Sequence, residues 1–230
     1  MTITVYELGG LEDFRYCPFC WRTLMAVKHK GIESFDRVPV FYRDRSPIDF
    51  TGQGKVPVLV DGDRWVNDSW DIADYLEDTY ADRPALFGGD VGRGGAQFIS
   101  AWTNQLRRPG LTEVILWDAF EHLDPADRDW WREDREKRFG RLEDYKDGRE
   151  EKAVAWRQRL DPLRATLAKQ PFLGGELPGY ADYIMFGEFQ WARCISQVQL
   201  IEADDPIYEW RETILDLFDG FARAAPTALG

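Results

Sequence analysis

The chain has 230 residues, of which 44% are hydrophobic and 14% aromatic, enough for a sizeable core in one large domain or two small ones. Its formal net charge of −12 argues against nucleic acid or an anionic membrane surface as its partner. Three cysteines do not make a disulfide framework, the N-terminus lacks the pattern of a signal peptide, and no apolar run is long enough to span a bilayer. We therefore expect a soluble, cytoplasmic protein.

The first third of the chain alternates strand and helix patterns. An apolar run, Ile3 to Leu8, precedes a polar loop and a helical pattern from Pro18 to Lys30, and Phe35 to Phe41 is a second strand candidate. Two short apolar runs around Asp61-Gly62 have the pattern of a hairpin, and a helical pattern follows from Trp70 to Tyr80. These patterns predict a βαβ unit followed by a ββα unit.

Two cysteines lie between the first predicted strand and the first predicted helix, in the turn C-P-F-C from Cys17 to Cys20. A C-x-x-C at that place is typical of a thioredoxin-like active site. Pro18 suits the first helical position, which leaves Cys17 at the N-cap, with its sulfur near free backbone N–H groups and the positive end of the helix dipole. We therefore expect Cys17 to be a thiolate nucleophile at neutral pH. Cys20 is either a resolving thiol or a buried apolar helix residue.

Pro57 stands at the start of the third predicted strand, after Lys55 and Val56. A proline there cannot donate to a strand ladder, so it lies at a sheet edge or in a special turn. In thioredoxin-like folds the proline at this place is cis and faces the cysteine turn, and the residue before it pairs its backbone with an extended peptide. Downstream of a C-x-x-C turn, we favour the special turn over an ordinary edge proline.

Asp68 and Ser69 precede the second predicted helix and suit plain N-capping of it. The same helix N-terminus can also hold a carboxylate, through the Ser69 hydroxyl and backbone N–H groups, while Asp68 pairs with an ammonium group. An amino-acid head group such as a γ-glutamyl moiety carries both charges on one carbon. A site for such a head group is therefore the functional alternative to simple capping.

A turn-rich segment, residues 84–91, separates two parts of the chain. Residues 1–83 contain the strand patterns, and residues 92–230 contain no convincing strand pattern. We expect an α/β, thioredoxin-like N-terminal domain, a linker at 84–91, and an all-α C-terminal domain.

Helical spacing dominates the second part. It predicts a break at Arg108-Pro109-Gly110, a restart near Asp124-Pro125, and later helices from Ala181 to Gln197 and from Asp205 to about Ala222. The run from Asp127 to Lys152 is dense in both charge signs, which favours a solvated helix face with ion pairs four residues apart.

Three motifs in order, C-P-F-C, G-K-V-P-V-L and N-D-S-W-D-I-A-D-Y-L, have the spacing of the N-terminal domain of glutathione S-transferases, and the helical remainder resembles their C-terminal domain. The pieces P-F-C-W-R-T, V-K-H-K-G, D-R-P-A-L-F and L-F-D-G make the chain most similar to bacterial enzymes that cleave β-aryl ethers of lignin, and to related fungal transferases. Those etherases carry a serine at the position of Cys17 and an apolar residue at that of Cys20. This chain instead has a C-P-F-C turn like those of dithiol glutaredoxins and omega-like transferases.

The resemblance implies glutathione as co-substrate, a small aromatic or hydrophobic second substrate, and a homodimer. It gives Cys17 the position of the catalytic serine or cysteine. The residues that it assigns to glutathione are Phe19, Gln53, Lys55, Val56, Pro57, Asp68 and Ser69. It assigns Tyr16, Trp102 and Trp117 to the hydrophobic substrate site. The two histidines lack metal-ligand spacing, so we expect no metal.

We therefore predict a glutathione transferase that conjugates or transfers glutathione to an aromatic electrophile, or reductively cleaves it, with a β-aryl ether as one candidate. The alternative is a glutathione-dependent thiol–disulfide oxidoreductase that uses Cys17, with Cys20 as the resolving thiol. A third hypothesis is a non-catalytic interaction module of this fold. The intact C-P-F-C turn and the pair Asp68-Ser69 argue against that third hypothesis.

Overall fold

The computed structural model describes residues 2–228 of the chain. The strands and helices of its first part are β1 Ile3–Leu8, α1 Pro18–His29, β2 Phe35–Val40, β3 Val58–Asp61, β4 Arg64–Asn67 and α2 Ser69–Thr79. They build one sheet of order β2–β1–β3–β4, in which β2 is parallel to β1 while β3 and β4 run antiparallel to their neighbours. The predicted βαβ and ββα units, and with them the thioredoxin-like fold class, are confirmed.

The β3–β4 hairpin follows directly from its turn residues. Asp61 pairs with Arg64 across a two-residue loop, and Gly62 in that loop has a φ of 62°. Glycine adopts this left-handed conformation at little cost, so the Asp-Gly signal marks the turn correctly. The hairpin directs the end of β4 toward Asp68, from which α2 begins.

The second part is helical, as predicted. Its helices are α3 Asp90–Leu106, α4 Thr112–Glu121, α5 Arg128–Phe139, α6 Arg149–Gln158, α7 Asp161–Leu167, α8 Tyr180–Ile195 and α9 Pro206–Gly220. Up to residue 228 this part contains no strand, only a single bridge between Phe172 and Gly175. Among the described residues, none of the helices has the length and apolar character that crossing a membrane requires.

The predicted break between α3 and α4 is confirmed. Arg108 and Pro109 have extended backbone angles, and Gly110 has a φ of 145°. A Cβ atom on Gly110 would lie 2.9 Å from the Trp156 ring, so both the backbone angle and the close packing require glycine. The break brings Arg107 and Arg108 to the C-terminal end of α3.

The charged run from Asp127 to Lys152 forms α5, a short turn and the start of α6. Ion pairs four residues apart lie along α5, with Arg132 3.0 Å from Glu136 and Lys137 2.8 Å from Glu133. The predicted ion-paired face is therefore present. The same run also buries Trp131, which is 3% exposed, so α5 contributes to the core as well as to the surface.

Helix α1 is attached to the second part through α8. The Arg22 guanidinium donates to the Glu188 carboxylate at 3.0 Å, and both side chains are buried. At the other end of α1, the Tyr183 hydroxyl and His29 Nδ1 share a hydrogen bond of 2.7 Å. These contacts set the orientation of α1, and therefore of Cys17 at its start, relative to the helical part.

Asp182 near the start of α8 joins three segments of the second part. Its fully buried carboxylate accepts hydrogen bonds from the backbone N–H groups of Leu173, Gly174 and Gly179, at 2.7, 3.1 and 3.0 Å. It also accepts a bond of 2.9 Å from Trp210 Nε1 on α9. Because one carboxylate satisfies four donors, among them the buried indole N–H of Trp210, its removal leaves all four without this partner.

We expect Asp182→Ala to lower the free energy of unfolding by roughly 3 kcal/mol or more, because buried donors without partners are costly. Asp182→Asn keeps one carbonyl acceptor and should give an intermediate loss. Urea denaturation followed by circular dichroism measures both. Asp124→Ala, which removes only a surface cap on Ala126 N–H, is the matched control and should cost about 1 kcal/mol. Equal losses in Asp182→Ala and the control would contradict this role.

Candidate functional site

Cys17 lies at the N-cap of α1, as predicted, with Pro18 at the first helical position. Its sulfur accepts a hydrogen bond of 3.4 Å from the backbone N–H of Cys20. The side chain is 7% exposed, so the sulfur is shielded from bulk water without being enclosed. The helix N-terminus thus presents its partial positive charge directly to this sulfur.

The two cysteines of the turn differ in acidity. A hydrogen bond from the Cys20 thiol lowers the pKa of Cys17, burial opposes this, and backbone N–H groups and the charge of Arg107 add to the lowering. Burial raises the pKa of Cys20 well above its ordinary value, and its hydrogen bond to Cys17 raises it further. Cys17 is therefore the ionising thiol and Cys20 the protonated donor. Cys194, the third cysteine, is buried, and burial raises its pKa to about 12.

Phe19 connects the turn with a buried group of charges. Two guanidinium carbons lie near its ring, that of Arg22 at 4.7 Å and that of Arg107 at 4.3 Å from the ring centre. Both arginines donate to Glu188, which is fully buried. Arg107 was not predicted to be a site residue, because the chain contains no local signal that α3 ends beside Cys17.

A first cavity, here the polar cavity, opens between the cysteine turn, the segment before β3 and the start of α2. Its volume is about 420 Å³. Of the residues assigned to glutathione from the sequence, those that line it are Phe19, Lys55, Val56, Pro57, Asp68 and Ser69, together with Cys17. The tertiary structure therefore brings together three motifs that are separated by up to about fifty residues in the chain.

The Val56–Pro57 peptide bond is cis, as the sequence analysis favoured. The ladder between β1 and β3 begins at Val58, so Val56 lies outside it. Within residues 2–228, neither the N–H nor the C=O of Val56 makes a hydrogen bond. An extended chain in the polar cavity can therefore pair with both groups.

Asp68 and Ser69 stand at the N-terminus of α2. Asp68 has a φ of 73°, and its carboxylate accepts a hydrogen bond of 2.8 Å from Trp70 N–H, so the capping interpretation is confirmed. Both residues also line the polar cavity, where Asp68 is exposed and Ser69 is buried. One carboxylate oxygen of Asp68 is thus used by the cap, and the group remains accessible to a cation.

The positions of Gln53 and Arg45 differ from those predicted from the sequence. The Gln53 amide donates to Lys55 C=O at 3.0 Å and to Thr51 at 3.2 Å, and Gln53 does not line the polar cavity. It braces the loop instead. Arg45 lines the cavity, and its buried Nη1 has no hydrogen-bond partner among the described residues. The sequence does not distinguish Arg45 from neighbouring Arg43, so this residue was missed.

A second cavity, here the aromatic cavity, lies on the other side of the cysteine turn and has a volume of about 340 Å³. Cys17 and Phe19 line this cavity as well as the polar one. Tyr16, assigned to the hydrophobic substrate site, lies in its wall, with further aromatic walls from Trp131 and Phe139. Cys17 therefore lies where the two cavities meet.

Trp102 and Trp117, also assigned to that substrate site, do not line the aromatic cavity. On α4 the lining residues are Thr112, Leu116 and Ala119, which share one helix face. Trp117 is one residue past Leu116 and therefore points to another side, where its ring packs 5.3 Å from the Phe120 ring. Trp102 packs half-buried against the core. The number of tryptophans in this region does not determine which side of each helix faces the cavity.

A third cavity, of about 770 Å³, lies beside residues 84–88 and the start of α3. His29 is its only titratable side chain apart from Tyr180 and Tyr183, and Cys17 does not line it. Burial lowers the pKa of His29, which keeps the imidazole neutral at physiological pH. Among the described residues, the lining of this larger cavity contains no cysteine and no charged side chain. Cys17 is therefore the better candidate for the reactive group.

Comparison with protein families identifies the fold. A model of the glutathione S-transferase N-terminal domain matches residues 16–79, and a model of the C-terminal domain matches residues 96–212. The chain belongs to the glutathione S-transferase family. The N-terminal match contains Cys17, Pro57 and Asp68, which the structure places around the polar cavity.

The curated relatives and solved structures that are similar to the chain include further glutathione transferases. The chain is 26% identical over 185 residues to glutathione S-transferase U22 of Arabidopsis thaliana, covering 79% of this chain and 72% of that one. It is 26% identical to glutathione S-transferase omega-1 of Mus musculus, over 77% of this chain and 64% of that one. Transferase GSTFuA3 of Phanerochaete chrysosporium has a TM-score of 0.78 at 24% identity, covering 93% and 96% of the two chains. CsGST63524 of Ceriporiopsis subvermispora, solved with glutathione, has a TM-score of 0.71 at 23% identity, covering 97% and 94%.

We expect Cys20→Ala to raise the pKa of Cys17, because it removes the thiol that donates to the Cys17 sulfur. Cys20→Ser keeps an O–H donor and should retain most of the lowering. The rate of Cys17 alkylation by iodoacetamide, followed against pH by mass spectrometry, reports this pKa. Only the thiolate reacts, so Cys20→Ala should react more slowly than wild type at neutral pH and equally fast at high pH.

The matched control for this experiment is Cys194→Ser, which changes a buried thiol outside the turn. It should have the wild-type pH profile. A Cys20→Ala profile that coincides with wild type would show that Cys20 does not set the acidity of Cys17.

Proposed function

We propose that this protein conjugates glutathione to an aromatic or hydrophobic electrophile, with glutathione in the polar cavity and the electrophile in the aromatic cavity. The observation that carries the proposal is the position of Cys17, which lines both cavities. A thiol bound beside Cys17 from the polar side faces a ring bound from the aromatic side. That juxtaposition is what a transfer between two bound molecules requires.

Glutathione fits the polar cavity as an extended peptide. The free N–H and C=O of Val56 would pair with the cysteinyl part, in the manner of an added strand. Asp68 would hold the γ-glutamyl ammonium, while Ser69 and the α2 N-terminus hold its carboxylate. Lys55 and the unpartnered guanidinium of Arg45 supply positive charge for the glycyl carboxylate.

The site around Cys17 stabilises one negative charge on sulfur. The α1 N-terminus and the Arg107 guanidinium both favour a thiolate there, and each pKa unit of lowering corresponds to about 1.4 kcal/mol. In conjugation the glutathione thiol loses its proton to solvent and its sulfur forms a bond to the electrophilic carbon. The leaving group departs with the bonding electron pair.

Glutathione binding is tested with Asp68→Asn. Asparagine keeps an N-cap acceptor and tolerates the positive φ, so only the negative charge is removed. We expect the Kd for glutathione to rise about tenfold, because the charge-assisted bond to the ammonium is lost. Titration calorimetry measures the Kd, and thermal unfolding should stay unchanged. Asp63→Asn, in the exposed β3–β4 turn, is the matched control. An unchanged Kd in Asp68→Asn would remove Asp68 from the binding site.

Thiol–disulfide exchange is a second candidate function, supported by the lowered pKa of Cys17 beside a protonated Cys20. The Cys17 thiolate would attack the glutathione sulfur of a mixed disulfide, and the released thiolate would take up a proton. A second glutathione thiolate would then attack the Cys17–glutathione disulfide. That step releases glutathione disulfide and regenerates the Cys17 thiolate.

Cys17→Ser separates the two chemistries. We expect reduction of hydroxyethyl disulfide by glutathione to fall at least about a hundredfold, because serine cannot form the mixed disulfide. Conjugation to 1-chloro-2,4-dinitrobenzene should stay equal or increase, because a neutral hydroxyl donates to the glutathione thiolate and no longer repels it. Absorbance assays measure both rates, with Cys194→Ser as the unaffected control. Equal loss of both activities would assign conjugation to Cys17 itself.

A β-aryl ether substrate and a homodimer stay predictions from the family resemblance. Turnover of β-aryl ethers with glutathione tests the first, and light scattering of the purified protein tests the second. Exposed apolar side chains on the described surface, among them Phe50 at 52% and Phe98 at 72%, are consistent with a second copy covering them.

A further inference from the structure

The aromatic cavity is strongly basic in an acidic protein. The chain carries a formal net charge of −12, yet the cavity is lined by Arg107, Arg108, Arg135 and Arg138. Among the described residues that line it there is no aspartate or glutamate. A cavity built only for neutral hydrophobic molecules has no physical need for four guanidinium groups.

The carboxylates around the cavity do not neutralise these arginines. Glu188 is shared by Arg107 and Arg22. Asp134 is shared in the same way. Its carboxylate pairs with the guanidinium of the next residue, Arg135, and with that of Arg138, whose Nη2 lies 3.0 Å from Oδ1.

Arg108 adds a positive charge that no carboxylate offsets. Within the described chain it makes no ion pair, and its guanidinium carbon lies 4.6 Å from the centre of the Phe139 ring. The five guanidinium groups in and behind the cavity therefore face two carboxylates. Arg108 is the one of the five without a carboxylate partner among the described residues. The five positive charges exceed the negative charges of Glu188, Asp134, the nearby buried Asp127 and a Cys17 thiolate, in a partly enclosed site where charges interact more strongly than in water.

Two neutral groups of the cavity wall also lack partners. The Tyr16 hydroxyl is buried without a hydrogen bond to any described residue, and Tyr16 itself is 3% exposed. The indole N–H of Trp191 is likewise buried and unpartnered. Both can donate a hydrogen bond, and both residues line the cavity. Buried donors normally have acceptors, so their pattern matches a ligand that brings acceptor oxygens.

The remaining walls suit a flat ring. Trp131, Phe139 and Tyr42 present aromatic side chains, and about 340 Å³ is enough for one substituted ring beside Cys17. The glutathione carboxylates do not explain the arginines, because their proposed partners Lys55, Arg45 and Ser69 lie in the polar cavity. The positive charge of the cavity is therefore available to bind the second substrate.

We propose that the second substrate is an aromatic electrophile that carries a carboxylate or a similar anionic group, held by the arginines of the aromatic cavity. The inference rests on the proposed conjugation function and names its substrate class. In the reaction, the glutathione sulfur forms a bond to the ring carbon that bears the leaving group. Chloride, or another such group, departs with its bonding electrons, and the carboxylate stays bound to the arginines.

The test compares two electrophiles that differ in charge, 4-chloro-3,5-dinitrobenzoate and 4-chloro-3,5-dinitrobenzamide, each rate being divided by its uncatalysed rate with glutathione. We expect wild type to prefer the benzoate. Arg108→Met should lower kcat/KM for the benzoate about tenfold and change that for the benzamide by about twofold or less. Arg108 is suitable because its removal leaves no carboxylate unpaired. Arg141→Met, at an exposed arginine outside the cavity, is the matched control and should leave both rates unchanged.

Binding of the finished conjugates gives a second readout that needs no turnover. Calorimetry compares S-(4-carboxy-2,6-dinitrophenyl)glutathione with its carboxamide. We expect the carboxylate to bind more tightly, and its advantage to shrink in Arg108→Met and in high salt. A second variant, Arg138→Met, leaves Asp134 paired with Arg135 and should reduce the same advantage.

The outcomes separate this inference from the proposed function. If the benzamide reacts and binds as well as the benzoate, the anionic substrate class is wrong and conjugation stands. If both arginine variants lower benzoate and benzamide turnover equally, the arginines support the fold and do not select charge. If neither electrophile reacts and glutathione does not bind, the proposed function fails as well.

Discussion

The environment of the Cys17 sulfur depends on one buried carboxylate, that of Glu188. By accepting from both Arg22 and Arg107, it joins α1, the end of α3 and α8, and holds two guanidinium groups against the ring of Phe19. Burying these charges costs free energy that their mutual attraction only partly repays, so the group is better understood as setting geometry than as adding stability. Two arginines share one carboxylate, which leaves a net positive charge next to the thiolate position.

The same arrangement explains how one sulfur site serves two cavities. The α1 N-terminus is fixed between the thioredoxin-like part and the helical part, so Cys17 lines both the polar cavity and the aromatic cavity. Neither part contains a complete site by itself. The contacts of α1 with α8 therefore matter for function as much as the cysteine turn does.

Much of the site could be predicted because its signals are local. Pro18 after Cys17 marks a helix start, Val56-Pro57 marks a special turn, and Asp68 marks a cap, since in each case the backbone requires that residue type. Arg45 and Arg107 could not be predicted in this way. An arginine becomes a site residue only through the segments that fold beside it, and neither of these two differs in local pattern from its neighbour.

The sequence by itself determined the fold class, the position of Cys17 at a helix start and the family to which the chain belongs, because turn chemistry and apolar periodicity act over a few residues. The tertiary structure alone decided which tryptophans line the cavity and how the arginines are paired. Trp131 faces the cavity while Trp117 does not, although both lie in the same aromatic region. The physical reason is that helix orientation and charge balance depend on contacts between segments distant in the chain, which no local pattern records.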